Sequence, residues 1–216
     1  MTALVTGSSG FIGTRLVRRL SEQGETVIAL DIAPPRERLD GVRYVEADVG
    51  QPIDVALGEG VDTLYNFAAT HRTPGHPPEE YYATNVSGAL NVTKLAEQAG
   101  IKRILFTSSI SVYGPSEAWV SEASPLQPVS DYGRSKSMAE VIHRQWAARG
   151  EDRRLVVVRP GVVFGPGERG NYTFLAMPCG GGCSSIRVAR TPSRAAAMWT
   201  NCWTLSPLRW RGLSRN

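Results

Sequence analysis

Cysteine and histidine are scarce in this chain, which has three residues of each. Cys179, Cys183 and Cys202 all lie near the C-terminus without histidines close by, so the sequence predicts neither a disulfide framework nor a zinc site. His71 and His76 lie in or beside a Pro/Gly-rich loop, without carboxylates or thiols at ligand spacing. We therefore expect no metal site.

Long apolar runs are also missing. No segment reaches the length of a membrane-spanning helix, and the N-terminus enters a strand pattern without a secretory signal. These absences predict a cytoplasmic protein with no membrane partner. The hydrophobic content of 42% is ordinary for a globular chain, and 216 residues allow one α/β domain or one domain with part of a second.

Acidic residues are absent from residues 171–216, where six arginines lie. The preceding residues, 1–170, hold 18 basic and 20 acidic side chains, a net charge of −2. The sequence pI of about 9.1 therefore comes from the C-terminal segment. It does not indicate a nucleic-acid surface on the main body, so we expect no nucleic-acid partner.

The most informative feature present is a glycine-rich turn near the N-terminus. An apolar run at residues 3–5 breaks into glycines, after which apolar residues recur at helical spacing. Gly7 permits a sharp turn, Gly10 lets the backbone approach phosphates, and Gly13 lets a helix pack on the strand. Asp31 ends the next apolar run at about the expected distance. The first glycine gap is one residue longer than usual, yet its strand and helix context predicts a dinucleotide pyrophosphate site.

Strand-like and helix-like segments alternate through the body of the chain. Apolar patterns predict strands at residues 26–30, 42–48, 61–69, 101–107 and 155–158, and helices at residues 81–98 and 132–148. This alternation predicts an α/β fold, a Rossmann-type doubly wound parallel sheet that binds ligands at the carboxyl ends of its strands. His143 falls on the last helix, where we expect it to be partly exposed.

A second group of residues has the pattern of an acid/base site. Tyr132 and Lys136 are four residues apart on a predicted helix, so both side chains can face one cleft. A neighbouring ammonium is expected to lower the pKa of the Tyr132 phenol and allow it to act as a general acid or base. Ser109 follows a strand end, where its hydroxyl can hydrogen-bond a reacting oxygen. A lone Tyr-x-x-x-Lys pair is common by chance, but this context favours function.

Taken together, the ordered motifs resemble the extended short-chain dehydrogenase/reductases, in their nucleotide-sugar epimerase/dehydratase branch. The resemblance covers roughly residues 2–176. Its motifs are the glycine-rich segment 6–13, Asp48-Val49, Asn66-Phe67-Ala68-Ala69, Thr84-Asn85-Val86, Thr107-Ser108-Ser109, Ser111-Val112-Tyr113-Gly114, Tyr132 with Lys136, and Arg159-Pro160 leading to Phe164-Gly165-Pro166-Gly167.

The resemblance implies a bound cofactor, NAD, and a catalytic triad. The implied cofactor-binding residues are Gly7, Gly10, Phe11, Ile12, Gly13, Asp31, Asp48, Val49, Phe67, Ala68, Ala69, Asn85, Tyr132, Lys136 and Pro160. The implied catalytic residues are Ser109, Tyr132 and Lys136, while Ser109 and Asn171 are implied to contact a UDP-linked sugar. A homodimer is a further expectation.

The implied reaction is epimerisation by transient hydride transfer at a sugar hydroxyl. Dehydratases of this branch usually follow the catalytic hydroxyl with an Asp-Glu pair, whereas Ile110 and Ser111 stand here. Val162 replaces an asparagine that many nucleotide-sugar enzymes carry, which weakens any specific sugar assignment. Two alternatives stay open: an NAD(P)-dependent sugar or small-carbonyl reductase, and a non-catalytic dinucleotide-binding regulator. Asp31 predicts a preference for NAD over NADP.

The character of the sequence changes near its C-terminal end. We interpret residues 1–170 as the NAD-binding domain and residues 171–216 as a truncated or out-of-frame remnant of a substrate lobe. The codons for residues 197–202 can also be read in the frame that starts at the last base of each codon. In that frame, the genetic code requires the run Val-Asp-x-Leu. That run is similar to a segment that the family carries in its substrate lobe. We therefore expect this chain to bind NAD weakly or not at all stably, and not to epimerise.

Overall fold

The computed structural model describes residues 1–72 and 75–165, together with the backbone of residues 196–198. The chain divides into two compact units, Met1–Arg159 and Pro160–Asn216. In the described part of the chain, none of the helices has the length and apolarity needed to cross a membrane.

The first unit contains a six-stranded, wholly parallel sheet. Its strands are β1 (Thr2–Thr6), β2 (Thr26–Asp31), β3 (Val42–Glu46), β4 (Thr63–Asn66), β5 (Arg103–Thr107) and β6 (Arg154–Val158). They lie in the order β3-β2-β1-β4-β5-β6, which is the strand order of a dinucleotide-binding Rossmann sheet. The predicted fold class is confirmed. The order reverses direction between β1 and β4, which is where such sheets bind ligands.

Helices connect the strands. They are α1 (Phe11–Glu22), α2 (Pro78–Tyr82), α3 (Gly88–Gln98) and α4 (Asp131–Ala148). The sequence predicts one helix over residues 81–98, whereas the chain winds as α2, a π-helical turn at Ala83–Ser87, and then α3. Short 3₁₀ turns lie at Val55–Gly58 and Ile110–Tyr113. Three predicted strands are longer than those observed. The strand predicted at 42–48 ends at Glu46, that predicted at 61–69 covers Thr63–Asn66, and that predicted at 101–107 begins at Arg103.

Apolar side chains in register hold the sheet together. Leu4 lies opposite both Ile28 and Leu64, and Ile104 is the next partner of Leu64. All four belong to one core cluster and are almost fully buried. A parallel strand that is covered on both faces needs such apolar runs, and their common register aligns the carboxyl ends of β1, β2, β4 and β5 at one edge.

The second unit has its own strand pair within the residues that the structure describes. β7 (Val162–Phe164) runs parallel to β8 (Ala196–Met198). Pro160 belongs to this unit, whereas the predicted substrate residue Asn171 lies outside the described residues.

Candidate active site

The glycine-rich turn lies between β1 and α1, and packing explains two of its glycines. Gly7 has a φ of +69°, and a Cβ there would lie 2.6 Å from the backbone nitrogen of Ala68. A Cβ on Gly13 would lie 2.1 Å from the carbonyl oxygen of Gly7. Both positions therefore admit only glycine, because the atoms in the way belong to backbone.

Gly10 is different, because the protein itself leaves space around it. It is exposed and caps α1, and a Cβ there would meet only the Gly7 carbonyl oxygen, at 3.2 Å. The first turn of α1 carries no acidic side chain, so the positive end of its dipole suits an anion. This turn fits a dinucleotide pyrophosphate on the outer side of Gly10.

Asp31 ends β2 beside this turn with a fixed carboxylate. Its Oδ2 accepts the Ser9 N–H at 2.9 Å, and its Oδ1 accepts the Ala33 N–H at 2.9 Å. A carboxylate oxygen has a second lone pair, so each oxygen can still accept a ribose hydroxyl. Phe11 and Ile12 form the first turn of α1 and are half-buried.

Two further predicted cofactor segments follow β3 and β4. The Asp48 carboxylate accepts the Gly50 N–H at 2.7 Å, and the buried Val49 has its carbonyl bound by Asn91 at 2.8 Å. Phe67 continues from β4, and its N–H donates to the Thr6 carbonyl at 3.1 Å. Ala68 follows Phe67 and lies against Gly7. Hydrogen bonding thus places the segment of Phe67 and Ala68 beside the glycine-rich turn.

Asn85 has a different set of contacts from the one expected of a cofactor-binding side chain. Its Oδ1 accepts the Thr70 N–H at 3.1 Å, and its Nδ2 donates to the Thr70 carbonyl at 3.1 Å and to Ser135 Oγ at 2.9 Å. Ser135 in turn donates to the Tyr132 carbonyl at 2.9 Å. Since both amide N–H groups of Asn85 are used, this residue holds the segment after β4 to the start of α4.

Ser109 follows β5 and begins the 3₁₀ turn at Ile110–Tyr113. Its hydroxyl oxygen accepts the Ser111 N–H at 3.1 Å, and the hydroxyl donates to Ser111 Oγ at 3.2 Å. A Cβ on Gly133 would lie 2.6 Å from the Ser111 carbonyl oxygen, so α4 packs directly on this turn. This close approach brings the turn that Ser109 begins to the start of α4.

Tyr132 lies in the first turn of α4, which Ser130 caps by accepting the Gly133 N–H at 3.0 Å. Its ring lies 6.2 Å from that of Tyr81. Burial raises the pKa of the Tyr132 phenol, and hydrogen bonding from Ser109 acts in the opposite direction. The structure therefore brings the Ser109 and Tyr132 hydroxyls together. The expected lowering of the phenol pKa by Lys136 is wrong for the protein alone.

The Lys136 ammonium explains this difference. It is almost fully buried and donates to the Thr107 carbonyl at 2.9 Å, 4.9 Å from the centre of the Phe106 ring. Burial lowers its pKa to about 7, although the charge of Glu140 acts in the opposite direction. Among the described residues, Thr107 provides its one hydrogen-bond acceptor. Because an ammonium has three N–H donors, others can reach the hydroxyls of a ligand.

A buried ion pair near the site was not predicted from the sequence. Glu140 is fully buried, and Arg159 donates to its two oxygens at 2.8 and 2.7 Å. Arg144 donates to the same carboxylate at 2.7 Å. Burial tends to raise the pKa of Glu140, but hydrogen bonds, first that from Arg159, hold it below its usual range. Arg159 also donates to the Tyr113 hydroxyl. The ion pair of Glu140 and Arg159 therefore joins α4 to the end of the 3₁₀ turn at Ile110–Tyr113.

The prediction that His143 is partly exposed is wrong. The side chain is fully buried and stacks on Phe106 with ring centres 4.1 Å apart. Its Nδ1 donates to the Ala139 carbonyl at 2.7 Å, since a carbonyl can only accept, and its Nε2 accepts from Asn66 at 3.2 Å. Asn66 accepts the Thr6 hydroxyl at 2.8 Å. Burial lowers the pKa of His143 to about 4, so it is neutral near pH 7.

Comparison with known proteins places these residues in a family context. The model of the NAD dependent epimerase/dehydratase family matches residues 3–177. A 4-epimerase of Escherichia coli O157:H7, which acts on N-acetyl-alpha-D-glucosaminyl-diphospho-ditrans,octacis-undecaprenol, is 38% identical over 186 residues, covering 82% of this chain and 54% of that protein. The UDP-glucose 4-epimerase of Lactobacillus helveticus is 30% identical over 180 residues, covering 79% of this chain and 54% of its own.

A solved structure gives the same result. MoeE5 in complex with UDP-glucose and NAD is 35% identical and superimposes with a TM-score of 0.69, covering 78% of this chain and 57% of that one. The chain spans about half the length of the curated relatives that it matches. The family model covers most of the chain, including the glycine-rich turn and the Ser109, Tyr132 and Lys136 positions. The chain therefore belongs to the NAD dependent epimerase/dehydratase family.

Proposed function

We propose that residues 1–170 bind NAD and carry the catalytic groups of a nucleotide-sugar 4-epimerase. The observation that carries this proposal is the position of Ser109, Tyr132 and Lys136 around the carboxyl end of β5, on the same sheet as the glycine-rich turn. The relatives named as 4-epimerases, and the neighbour bound to UDP-glucose and NAD, support this reaction and a UDP-linked sugar as substrate.

The described residues fit NAD at both ends of the proposed site. The open side of Gly10 suits a pyrophosphate, the Asp31 carboxylate suits ribose hydroxyls, and the Lys136 ammonium keeps donors for a second ribose. Bound NAD would supply a hydride acceptor and then a hydride donor. We extend the proposal to Pro160 as a further cofactor contact.

The proton chemistry belongs to side chains of this chain. In the proposed reaction, Tyr132 Oη accepts the proton of a sugar hydroxyl, and the Ser109 hydroxyl hydrogen-bonds the same oxygen. Burial alone raises the pKa of the phenol, so the proton transfer needs a nearby cation. Lys136 supplies that cation when its ammonium is protonated, which its pKa of about 7 allows near neutral pH.

We also propose a homodimer in the cytoplasm. Leu90 on α3 and Met138 and Val141 on α4 are apolar and about half exposed. Met138 and Val141 are three residues apart and share one face of α4, and α3 packs against α4. An exposed apolar face of this kind suits a second copy of the chain.

For residues 171–216 we propose a truncated or out-of-frame remnant of the substrate lobe, in which Asn171 keeps a substrate role. The family match ends within this segment, at residue 177, which supports a change in the character of the chain near that point. Without a substrate lobe, the sugar is not held for hydride transfer, so we expect this chain to bind NAD weakly and not to epimerise.

The experiment compares the 216-residue chain with a form whose reading frame is restored near codons 174–177. Each protein is incubated with NAD and UDP-glucose, and the products are separated by chromatography. We expect UDP-galactose only from the restored form, without net formation or consumption of NADH. Net NADH consumption would instead indicate a reductase, and NAD binding without turnover in both proteins would indicate a regulator. A gene whose shifted frame meets an early stop codon would contradict the proposal for residues 171–216.

A further inference from the structure

Ser9 is the extra residue in the first gap of the glycine-rich turn, and all its hydrogen-bonding groups reach one distant segment. Its N–H donates to Asp31 Oδ2 at 2.9 Å, and its hydroxyl donates to the Ala33 carbonyl at 2.9 Å. Arg36 Nε donates to the Ser9 carbonyl at 3.1 Å. We name these three hydrogen bonds the Ser9 tether. They join the glycine-rich turn to the loop that follows β2.

The Ser9 tether fixes the orientation of the Asp31 carboxylate. One carboxylate oxygen accepts the Ser9 N–H, and the other accepts the Ala33 N–H at 2.9 Å. The Ser9 hydroxyl holds the carbonyl of the same Ala33. Ser9 therefore acts on both carboxylate oxygens, on one directly and on the other through Ala33.

Arginines lie near the Ser9 tether. Arg36 is bound to the Ser9 carbonyl, and Arg15 lies in the first turns of α1. Burial lowers the pKa of Arg15, and the charges of Arg36 and Arg18 lower it further. A phosphate on a ribose would be attracted by these cations and repelled by Asp31. The balance between them depends on where the Asp31 carboxylate is held.

We propose that Ser9 is a positioning residue that selects NAD against NADP through the orientation of the Asp31 carboxylate. The proposal rests on the proposed function, because it requires a dinucleotide at the glycine-rich turn. Nothing in the glycine spacing itself requires a serine at this position. The side-chain hydroxyl adds one hydrogen bond to the two that the Ser9 backbone makes.

The test is calorimetric titration of the full 216-residue chain and its Ser9→Ala variant with NAD and with NADP. Ser9→Ala removes the bond to Ala33 and leaves both backbone bonds possible. We expect the ratio of the NADP Kd to the NAD Kd to fall by about 3- to 10-fold, the effect of one hydrogen bond. A general loosening of the fold weakens both dinucleotides by the same factor and leaves the ratio unchanged.

Two further variants complete the test. Thr14→Val is the matched control, because Thr14 donates to the Ser8 carbonyl at 3.2 Å within the same turn and does not reach residues 31–36. The ratio of the NADP Kd to the NAD Kd in Thr14→Val should match that of the parent chain. Arg36→Met removes the third bond of the Ser9 tether, and we expect a weaker Kd for NAD.

The outcomes separate this inference from the proposed function. NAD binding with an unchanged ratio in Ser9→Ala would overturn the inference alone, as would an Arg36→Met variant that weakens only NADP. A parent chain that binds neither dinucleotide would overturn both the inference and the proposed cofactor.

Discussion

In the half of the sheet formed by β1, β2 and β3, the groups expected to hold the cofactor are mainly glycines, main-chain amides and the carboxylates of Asp31 and Asp48, which main-chain N–H groups fix. In the half formed by β4, β5 and β6, the site depends on buried side chains. Lys136, Glu140 and His143 occupy buried positions on α4 and are held by partners far away in the sequence.

This difference predicts two ways in which the site can be damaged. A methyl group added at Gly7 or Gly13 meets backbone atoms that cannot move aside, so it should affect cofactor binding. Loss of a buried charge near α4 leaves its partner unpaired, so it should affect stability. Loss of the Tyr132 hydroxyl removes neither packing nor a buried charge, so it should affect turnover alone.

The largest effect is expected for Tyr132→Phe. Turnover of UDP-glucose should fall by roughly 10²-fold or more, because a positioned acid/base group is removed. The Kd for NAD should stay within about two-fold of the parent value, because the ring and its contact with Tyr81 are kept. Turnover is measured in the frame-restored protein, and NAD binding in both forms.

Tyr82→Phe is the matched control for this change. The Tyr82 hydroxyl donates to Asp131 at 3.0 Å, one residue before Tyr132, and is not part of the proposed triad. A similar loss of turnover in both variants would show that the phenol of Tyr132 has no special role.

The next largest effect concerns Glu140, the buried carboxylate on α4. Glu140→Ala leaves the Arg159 guanidinium without its bidentate partner, so the free energy of unfolding should fall by about 3–5 kcal/mol. Urea unfolding measures it. Glu97 pairs with Arg149 and Arg153 at the surface, and Glu97→Ala should cost about 0–1 kcal/mol. Equal losses in the two variants would refute the special role of the buried pair.

Acid should lower the stability of the half formed by β4, β5 and β6, because His143 is buried there in its neutral form. Its folded-state pKa of about 4 lies below the ordinary histidine pKa of 6.5, so the unfolded chain binds the proton more strongly between these values. The stability that neutral His143 contributes is therefore present above pH 6.5. It is lost as the pH falls toward 4, by about 3 kcal/mol.

The measurement is urea unfolding of the parent chain and of His143→Gln at pH 6.5, 5 and 4. Glutamine can keep a hydrogen bond to Asn66 but does not titrate. The variant should show a smaller loss of stability with acid than the parent. Identical pH profiles would mean that His143 is not the group responsible.

A smaller effect is expected in the first half of the sheet. Gly13→Ala should raise the Kd for NAD by about ten-fold, because its Cβ would lie 2.1 Å from the Gly7 carbonyl oxygen and displace the turn. Gly24→Ala is the control: a Cβ there meets nothing within 4 Å, although its φ of +74° strains alanine. It should lower stability and leave NAD binding unchanged. Weaker NAD binding in both Gly13→Ala and Gly24→Ala would contradict the claim that the backbone of the glycine-rich turn has a special role in binding.

The first half was largely predictable from the sequence because its determinants are local. The glycine spacing, the apolar run of β2 and the position of Asp31 lie within 31 residues, and each has a direct backbone meaning. The Ser9 tether was not predicted. It depends on where the loop after β2 folds, which no periodic pattern specifies.

The second half was predictable in its elements but not in its buried contacts. The four-residue spacing of Tyr132 and Lys136 placed both on α4, but the ammonium donates to the Thr107 carbonyl, 29 residues away. His143 meets Asn66 across 77 residues. A lone histidine on a helix with little amphipathic pattern gives no sign of such a partner. Long-range polar contacts of this kind follow from the topology of the sheet.

The central claim is that the glycine-rich turn and Asp31 form an NAD site, and direct titration of the 216-residue chain with NAD and NADP tests it. We predict a single site for NAD, with a Kd about ten-fold or more below that for NADP, because the Asp31 carboxylate repels a ribose phosphate at close range. Tighter binding of NADP, or no binding of either dinucleotide, would contradict the account.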